Sequence, residues 1–159
     1  MLSEVFDDKE IEILIENDII LTIGSCDLKE KIDELSSNKN KKVKAHIKID
    51  TGFGRYGFLY YNENEILEEI KDSKNIEIRG VYTHFSKPID KKWTYIQFKR
   101  FENIVYKIKE INPKIIFHCC SSTAALLYPD MCLDMVRIRF MYSRKNFKKY
   151  FRVKKNRSF

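Results

Sequence analysis

Short β-branched runs alternate with amphipathic helical stretches along most of this 159-residue chain. That alternation limits the fold more than any other feature. Strands separated by helices do not pair as hairpins; they lie side by side as a parallel sheet joined by crossovers. The β-rich runs cover residues 19–23, 43–50, 76–85, 115–122 and 133–138. The first helix is expected over 8–17, with Ile11, Leu14 and Ile15 on one face and Asp8 as its cap. A second is expected over 27–36 with Asp27 as N-cap, and a third within 62–73. The strongest helical pattern runs over 93–111, where Phe101, Ile104, Val105, Ile108 and Ile111 recur at helical spacing. A fifth helix opens at Thr123. About five parallel strands in an α/β chain fit either an open doubly wound sheet or part of a (β/α)8 barrel.

Composition decides which classes remain. Hydrophobic residues at 43% are enough for a core. No apolar run approaches 18 residues, so no membrane span is expected. The opening MLSEVFDD is acidic and has no apolar signal region, and the four cysteines (26, 119, 120 and 132) are not spaced as a disulfide scaffold. Both point to a cytoplasmic protein with reduced thiols. The net charge of +7 belongs to one end. Nine of the 30 Lys and Arg fall in residues 139–159, which hold no acids; residues 1–138 keep 21 against all 23 Asp and Glu, a net of −2. Contact with nucleic acid or a membrane therefore rests on that tail, where a solvated segment without such a role is the expectation.

The chemistry-bearing side chains gather at the C-terminal ends of the strands. Lys48, Asp50 and Arg55 follow one strand, and Tyr82 and His84 end the next. His118, Ser121 and Ser122 end another, and Arg137 lies on the last. Sites of barrels and open α/β sheets sit on this edge. Two arginines, a histidine and serine hydroxyls before a helix suit a small anionic ligand carrying a phosphate. Gly52-x-Gly54-x-x-Gly57 matches a dinucleotide motif as text, but no helix is expected to start there. No zinc-like cysteine spacing occurs, so no metal is expected. A metal-dependent barrel hydrolase would need His-x-His on its first strand, which is absent. His118 reads as a core histidine.

At these residues the chain resembles the alanine racemases. The segments HIKIDTGFGRYGF, GVYTHFS, the helix with Gln97 and Phe101, HCCSSTAALLYPDM and DMVRI follow one another in that family's order, over about residues 5–138. The resemblance implies a fold-type III enzyme dependent on pyridoxal 5'-phosphate (PLP), built on a (β/α)8 barrel and acting as a homodimer. It implies interconversion of L- and D-alanine for D-alanine biosynthesis, with serine an alternative amino-acid substrate. Matched position by position, it implies Lys48, Arg55 and His84 as catalytic. It implies Arg55, His84, Ser121, Ser122 and Arg137 as cofactor-binding. Arg55 would meet the phenolic oxygen, and Lys48, carbamylated in some members, would hold that arginine. His84 would lie beside the ring, Ser122 would bind phosphate, and Arg137 would face the pyridine nitrogen.

The departures shape what is expected of this chain. The family's Schiff-base lysine lies in a Val-Lys-Ala-Asn-Ala-Tyr-Gly-like motif that does not occur here. The match starts near the helix before the family's fourth strand, so the barrel is expected to be partial and open. Ser121 stands where Asn is usual, and Arg139 where the family has a glycine on the phosphate. The expected organisation is a partial barrel domain over 1–138 and a basic tail over 139–159, out of frame or disordered. The expected activity is that of a fragment: inactive alone, with a complementing subunit or a tail-driven binding module as the alternatives.

Overall fold

The computed structural model describes residues 3–71 and 73–138. The order is α1 (Asp8–Glu16), β1 (Leu21–Ile23), α2 (Cys26–Asn38), β2 (Val43–Asp50), β3 (Phe58–Leu59), α3 (Glu63–Glu69), β4 (Ile76–Tyr82), α4 (Lys91–Ile111), β5 (Ile116–His118) and α5 (Ser122–Leu127). A 3-10 turn at Pro129–Met131 follows. Every strand pairing is parallel, and the sheet order is β1-β2-β4-β5 with β3 added to the end of β2. The sheet is open. Residues 139–159, the basic tail, lie outside the described residues.

Central β2 carries the fold. Its Ala45, Ile47 and Ile49 are wholly buried and Val43 nearly so. They join Ile11 and Ile15 of α1, Leu28 and Ile32 of α2, and Phe101, Ile104 and Ile108 of α4 in one core. The ionisable face of β2 is buried as well: His46, Lys48 and Asp50 are all below a tenth exposed. Period-two alternation usually marks a strand with one wet face. Here both faces are covered, as parallel sheets require. Gly80 answers His46 across the sheet. A Cβ there would lie 2.8 Å from the imidazole, and only glycine leaves the ring its place.

Three local expectations change. The helix caps are Asp7, accepting from the Glu10 N–H, and Ser25, accepting from Leu28, rather than Asp8 and Asp27. The side chain that reaches the third amide of the helix is the one just before it. Ile111 is 53% exposed because it ends α4, beyond the core-facing stripe. Residues 133–138 form no regular strand. The segment makes one bridge, Ser121 with Arg137, and the Arg137 N–H donates to Cys120 at 2.9 Å. Among the described residues, Asp134 serves the outer edge of β5. Its N–H donates to the Phe117 carbonyl at 3.0 Å and its Oδ2 accepts the Phe117 N–H at 2.7 Å. A side chain doing the work of a strand partner breaks the ladder there. The fifth strand is instead the two-residue β3. Among the described residues no helix is long and apolar enough to cross a membrane.

Ile47 is wholly buried in the central strand, so truncation leaves a cavity. Ile47→Ala should cost about 2–5 kcal/mol, read as a lowered urea midpoint with an unchanged slope.

Candidate functional site

The sheet's C-terminal edge is organised around Arg137. Its guanidinium reaches His118 Nδ1 at 2.7 Å and His84 Nδ1 at 3.0 Å. It also donates to the carbonyls of Thr83 (2.9 Å), Cys119 (3.3 Å) and His118 (3.4 Å). An arginine only donates, so both Nδ1 atoms must be lone pairs and both rings neutral with the proton on Nε2. His118 Nε2 then donates to His46 Nδ1 at 2.9 Å. The chain His84–Arg137–His118–His46 ties the segment after β4 and the end of β5 to the middle of β2. Tyr82 stacks on His118 (4.8 Å, 4° between planes) and lies under Arg137, 5.1 Å from its guanidinium carbon. Its hydroxyl meets Thr22 at 3.1 Å and Tyr56 at 3.4 Å.

The loop after β2 owes its shape to Asp50. Its two carboxylate oxygens accept the N–H groups of Gly52, Phe53, Gly54 and Arg55 at 2.7–3.2 Å. Burial raises the Asp50 pKa, but the Gly52, Phe53 and Gly54 amides with Lys48 outweigh it, and the carboxyl sits below its ordinary value. Gly52, Gly54 and Gly57 all have positive φ, which lets the chain curl round one carboxylate. The curl carries Arg55 outward. Its guanidinium rests on Phe53 (4.6 Å) and Tyr56 (5.1 Å), and the Phe53 ring lies 5.6 Å from His84. Lys48 lies inside this loop. Its Nζ donates to the carbonyls of Ile49 (2.9 Å) and Tyr56 (3.4 Å) and faces the Tyr56 and Tyr82 rings. A buried lysine is therefore satisfied without an arginine partner.

The sequence-predicted residues fall into one neighbourhood. His84 and Arg137 touch; Lys48 joins them through Tyr82, and Arg55 through Phe53. Ser121 is the residue before α5, paired to Arg137 along the backbone, and Ser122 opens α5 and is buried. Sequence reasoning missed a supporting layer. His118 is buried like any core histidine, yet it is the link between Arg137 and His46. The position of His46 on the ionisable face of β2 was the available signal. Thr51 and Thr83 join hydroxyls at 2.9 Å, buried Gln97 accepts from the Ser86 N–H at 3.0 Å, and Arg100 donates to Thr51 at 2.9 Å. These hold the loops after β2 and β4 to α4. The four cysteines are free thiols, and Cys119 points away from the site to the Met131 carbonyl.

Burial, and after it the Arg137 charge, holds His84 down at about 4 and His118 lower still; burial dominates at His46, also about 4. The folded state keeps these rings neutral while the unfolded chain protonates them below about 6.5. Stability is then complete above that pH and falls as pH drops towards 4. With about 1.4 kcal/mol per pH unit per neutral histidine, and least from partly exposed His84, the loss from pH 7 to pH 5 should be on the order of 2–4 kcal/mol. Urea midpoints at the two pH values measure it. Equal midpoints would mean that the native rings are already charged.

The sequence pattern of the family described as "Alanine racemase, N-terminal domain" matches residues 1–138. An alanine racemase of Methanococcus maripaludis is 37% identical over 134 residues, covering 82% of this chain and 36% of the relative. "Alanine racemase 1" of Oceanobacillus iheyensis is 34% identical over 128 residues, covering 78% and 34%. The chain thus spans about a third of the length of these curated relatives. Among solved structures, alanine racemase of Clostridium difficile 630 in complex with cycloserine superposes with a TM-score of 0.80 at 31% identity, over 94% of this chain and 43% of that one. The open parallel sheet is therefore part of a (β/α)8 barrel, and this chain belongs to the family of the alanine racemase N-terminal domain.

Proposed function

We propose that residues 48–137 form the cofactor-facing wall of an alanine racemase barrel, and that these 159 residues alone do not racemise alanine. The observation that carries the first part is a pair of guanidiniums on one sheet edge. Among the described residues, neither Arg55 nor Arg137 is ion-paired with a carboxylate. Such a donor set fits PLP, whose phosphate and phenolate are both anionic. When bound, PLP supplies an aldehyde for an amino group and a conjugated ring that withdraws electrons from Cα.

This chain's residues would tune that chemistry. Arg137 cannot accept a proton, so facing the pyridine nitrogen it keeps that atom unprotonated and the ring a weaker electron sink. Proton return to Cα is then favoured over transamination. His84 and His118, neutral and aimed at the guanidinium, hold Arg137 in place. Arg55 would bind the phenolic oxygen, with Lys48 beneath it, and Ser121 and Ser122 would bind phosphate. Lys48 and Arg55 repel each other as cations, so a negative charge must lie between them for Lys48 to hold the arginine.

Inactivity follows from the sequence. Racemisation needs a covalent lysine anchor and two bases on opposite faces of Cα. No Val-Lys-Ala-Asn-Ala-Tyr-Gly-like motif is present in these residues. The substrate of the assembled site is alanine or a similarly small amino acid such as serine, in a homodimeric, cytoplasmic enzyme. A second reading is a complementing subunit. β1 ends the sheet, pairing only with β2 among the described residues, and a separately made segment could continue from it. Residues 1–138 are the domain that does this, and 139–159 an appended basic tail.

Purified chain with PLP should show no alanine racemisation; turnover comparable to that of a complete relative would refute the second part of the proposal. PLP should still bind weakly and shift its absorbance. Arg55 is exposed, so Arg55→Ala keeps the fold. Losing one charge-assisted hydrogen bond of about 1.5–3 kcal/mol should weaken binding roughly ten- to hundredfold. Equal affinity in the variant would remove Arg55 from the site. Co-expression with a segment bearing the lysine motif tests complementation, and activity in the mixture alone would support it.

A further inference from the structure

Two aromatic side chains of the loop after β2 stand outside the hydrophobic core. Phe53 and Tyr56 are half-buried, and neither belongs to the cluster that fills the space between sheet and helices. What they share is Arg55. Its guanidinium carbon lies 4.6 Å from the Phe53 ring centroid and 5.1 Å from that of Tyr56. Among the described residues no carboxylate pairs with Arg55. Asp50, five residues earlier, has both oxygens on the four loop amides. In an extended chain Arg55 and Tyr56 would point to opposite sides. The curl round Asp50, with Gly54 at φ 75° between Phe53 and Arg55, brings both rings against one guanidinium.

A cation within about 6 Å of an aromatic centroid is attracted by the negative face of the ring. Both rings meet that condition. The attraction needs none of the five N–H donors of the guanidinium, which stay available to an oxyanion. The rings also tie the arginine to its neighbours. Phe53 lies 5.6 Å from the imidazole of His84, and His84 accepts from Arg137 at 3.0 Å. Tyr56 faces Lys48 Nζ at 5.3 Å, and its hydroxyl meets that of Tyr82 at 3.4 Å. Arg55 and Arg137 thus stand at the two ends of a run, Arg55–Phe53–His84–Arg137. Its middle members are an apolar ring and a neutral imidazole.

We propose that Phe53 and Tyr56 are positioning residues for Arg55: their rings hold its guanidinium in place on the loop, and Phe53 sets it relative to His84 and Arg137. A free arginine on a glycine-rich loop samples many rotamers, and ordering it on binding weakens the complex. A guanidinium already held by two rings avoids that loss. The hold is electrostatic rather than steric, so leucine, which fills similar space without a negative face, does not replace it. That the held guanidinium takes a phenolic oxygen rests on the cofactor-site reading; the contact between rings and arginine does not.

The test uses the full chain labelled with 13C,15N-arginine, the Arg55 signals being assigned by their loss in Arg55→Ala. In the parent, the Arg55 side-chain protons should show NOEs to the ring protons of Phe53 and Tyr56 and lie upfield of free arginine. This measurement needs no variant to fold, and the absence of both effects overturns the proposal. Phe53→Leu and Tyr56→Leu should each move the signals towards free arginine, and Phe53→Tyr, which keeps a ring at position 53, should leave them in place. Signals unmoved in both leucine variants also overturn it. PLP affinity, read by absorbance, gives the second arm. Each leucine substitution should weaken it about two- to fivefold, the ordinary effect of one exposed cation–π contact. In the Arg55→Ala background the same substitutions should change nothing further. An equal loss there would mean that the rings do not act through Arg55, and overturns the proposal. If Arg55→Ala itself leaves the affinity unchanged, the cofactor-site reading fails, while the arginine signals still decide whether the rings hold Arg55.

Discussion

The arrangement at the sheet's C-terminal edge follows from β2 being buried on both faces while one face carries His46, Lys48 and Asp50. A buried ionisable group without a partner is costly, by several kcal/mol. Each of the three therefore recruits structure. Asp50 gathers four amides and so fixes the loop that displays Arg55. His46 takes the proton of His118, which leaves His118 an acceptor for Arg137. Lys48 fastens the far side of the same loop through the Tyr56 carbonyl. The site is what the chain builds to satisfy its central strand.

The same logic explains the electrostatic character of the edge. Arg137 is surrounded by acceptors without formal charge: two imidazoles, three carbonyls and the face of Tyr82. No carboxylate among the described residues neutralises it. The field it projects remains positive, and an anionic group entering the edge meets it undiminished. Neutral histidines are needed for this arrangement. A protonated ring would donate towards a guanidinium that also donates, and the contact would fail. Burial and the arginine charge act together to keep that from happening near neutral pH.

Much of this was legible in the residues, and the reasons differ by element. β2 and α4 stood out because their periods, two and near 3.6, extend over eight and 21 residues. The polar residues at strand ends could be placed on one edge because parallel connectivity puts all strand C-termini together. The 133–138 strand was misread because its β-branched pattern is short. What interrupts it is the Asp134 side chain, whose reach into the Phe117 N–H has no signature in periodicity. The caps moved by one or two residues for a similar reason, since adjacent Asp and Ser residues compete for the same amide. His118 was taken for core. Burial habit describes its surroundings but not what its two nitrogens bond.

The sequence by itself determined the parallel α/β architecture, the central strand and the cluster of arginines, histidine and serines on one edge. These depend on local period and chain order, which are written residue by residue. Only the tertiary structure decided that both faces of β2 are buried and that His118 joins Arg137 to His46. Those pairings join residues 19 and 72 positions apart. Only the close packing of β1, β2, β4 and β5 brings such groups within a few ångströms and strips away the water that would otherwise satisfy them.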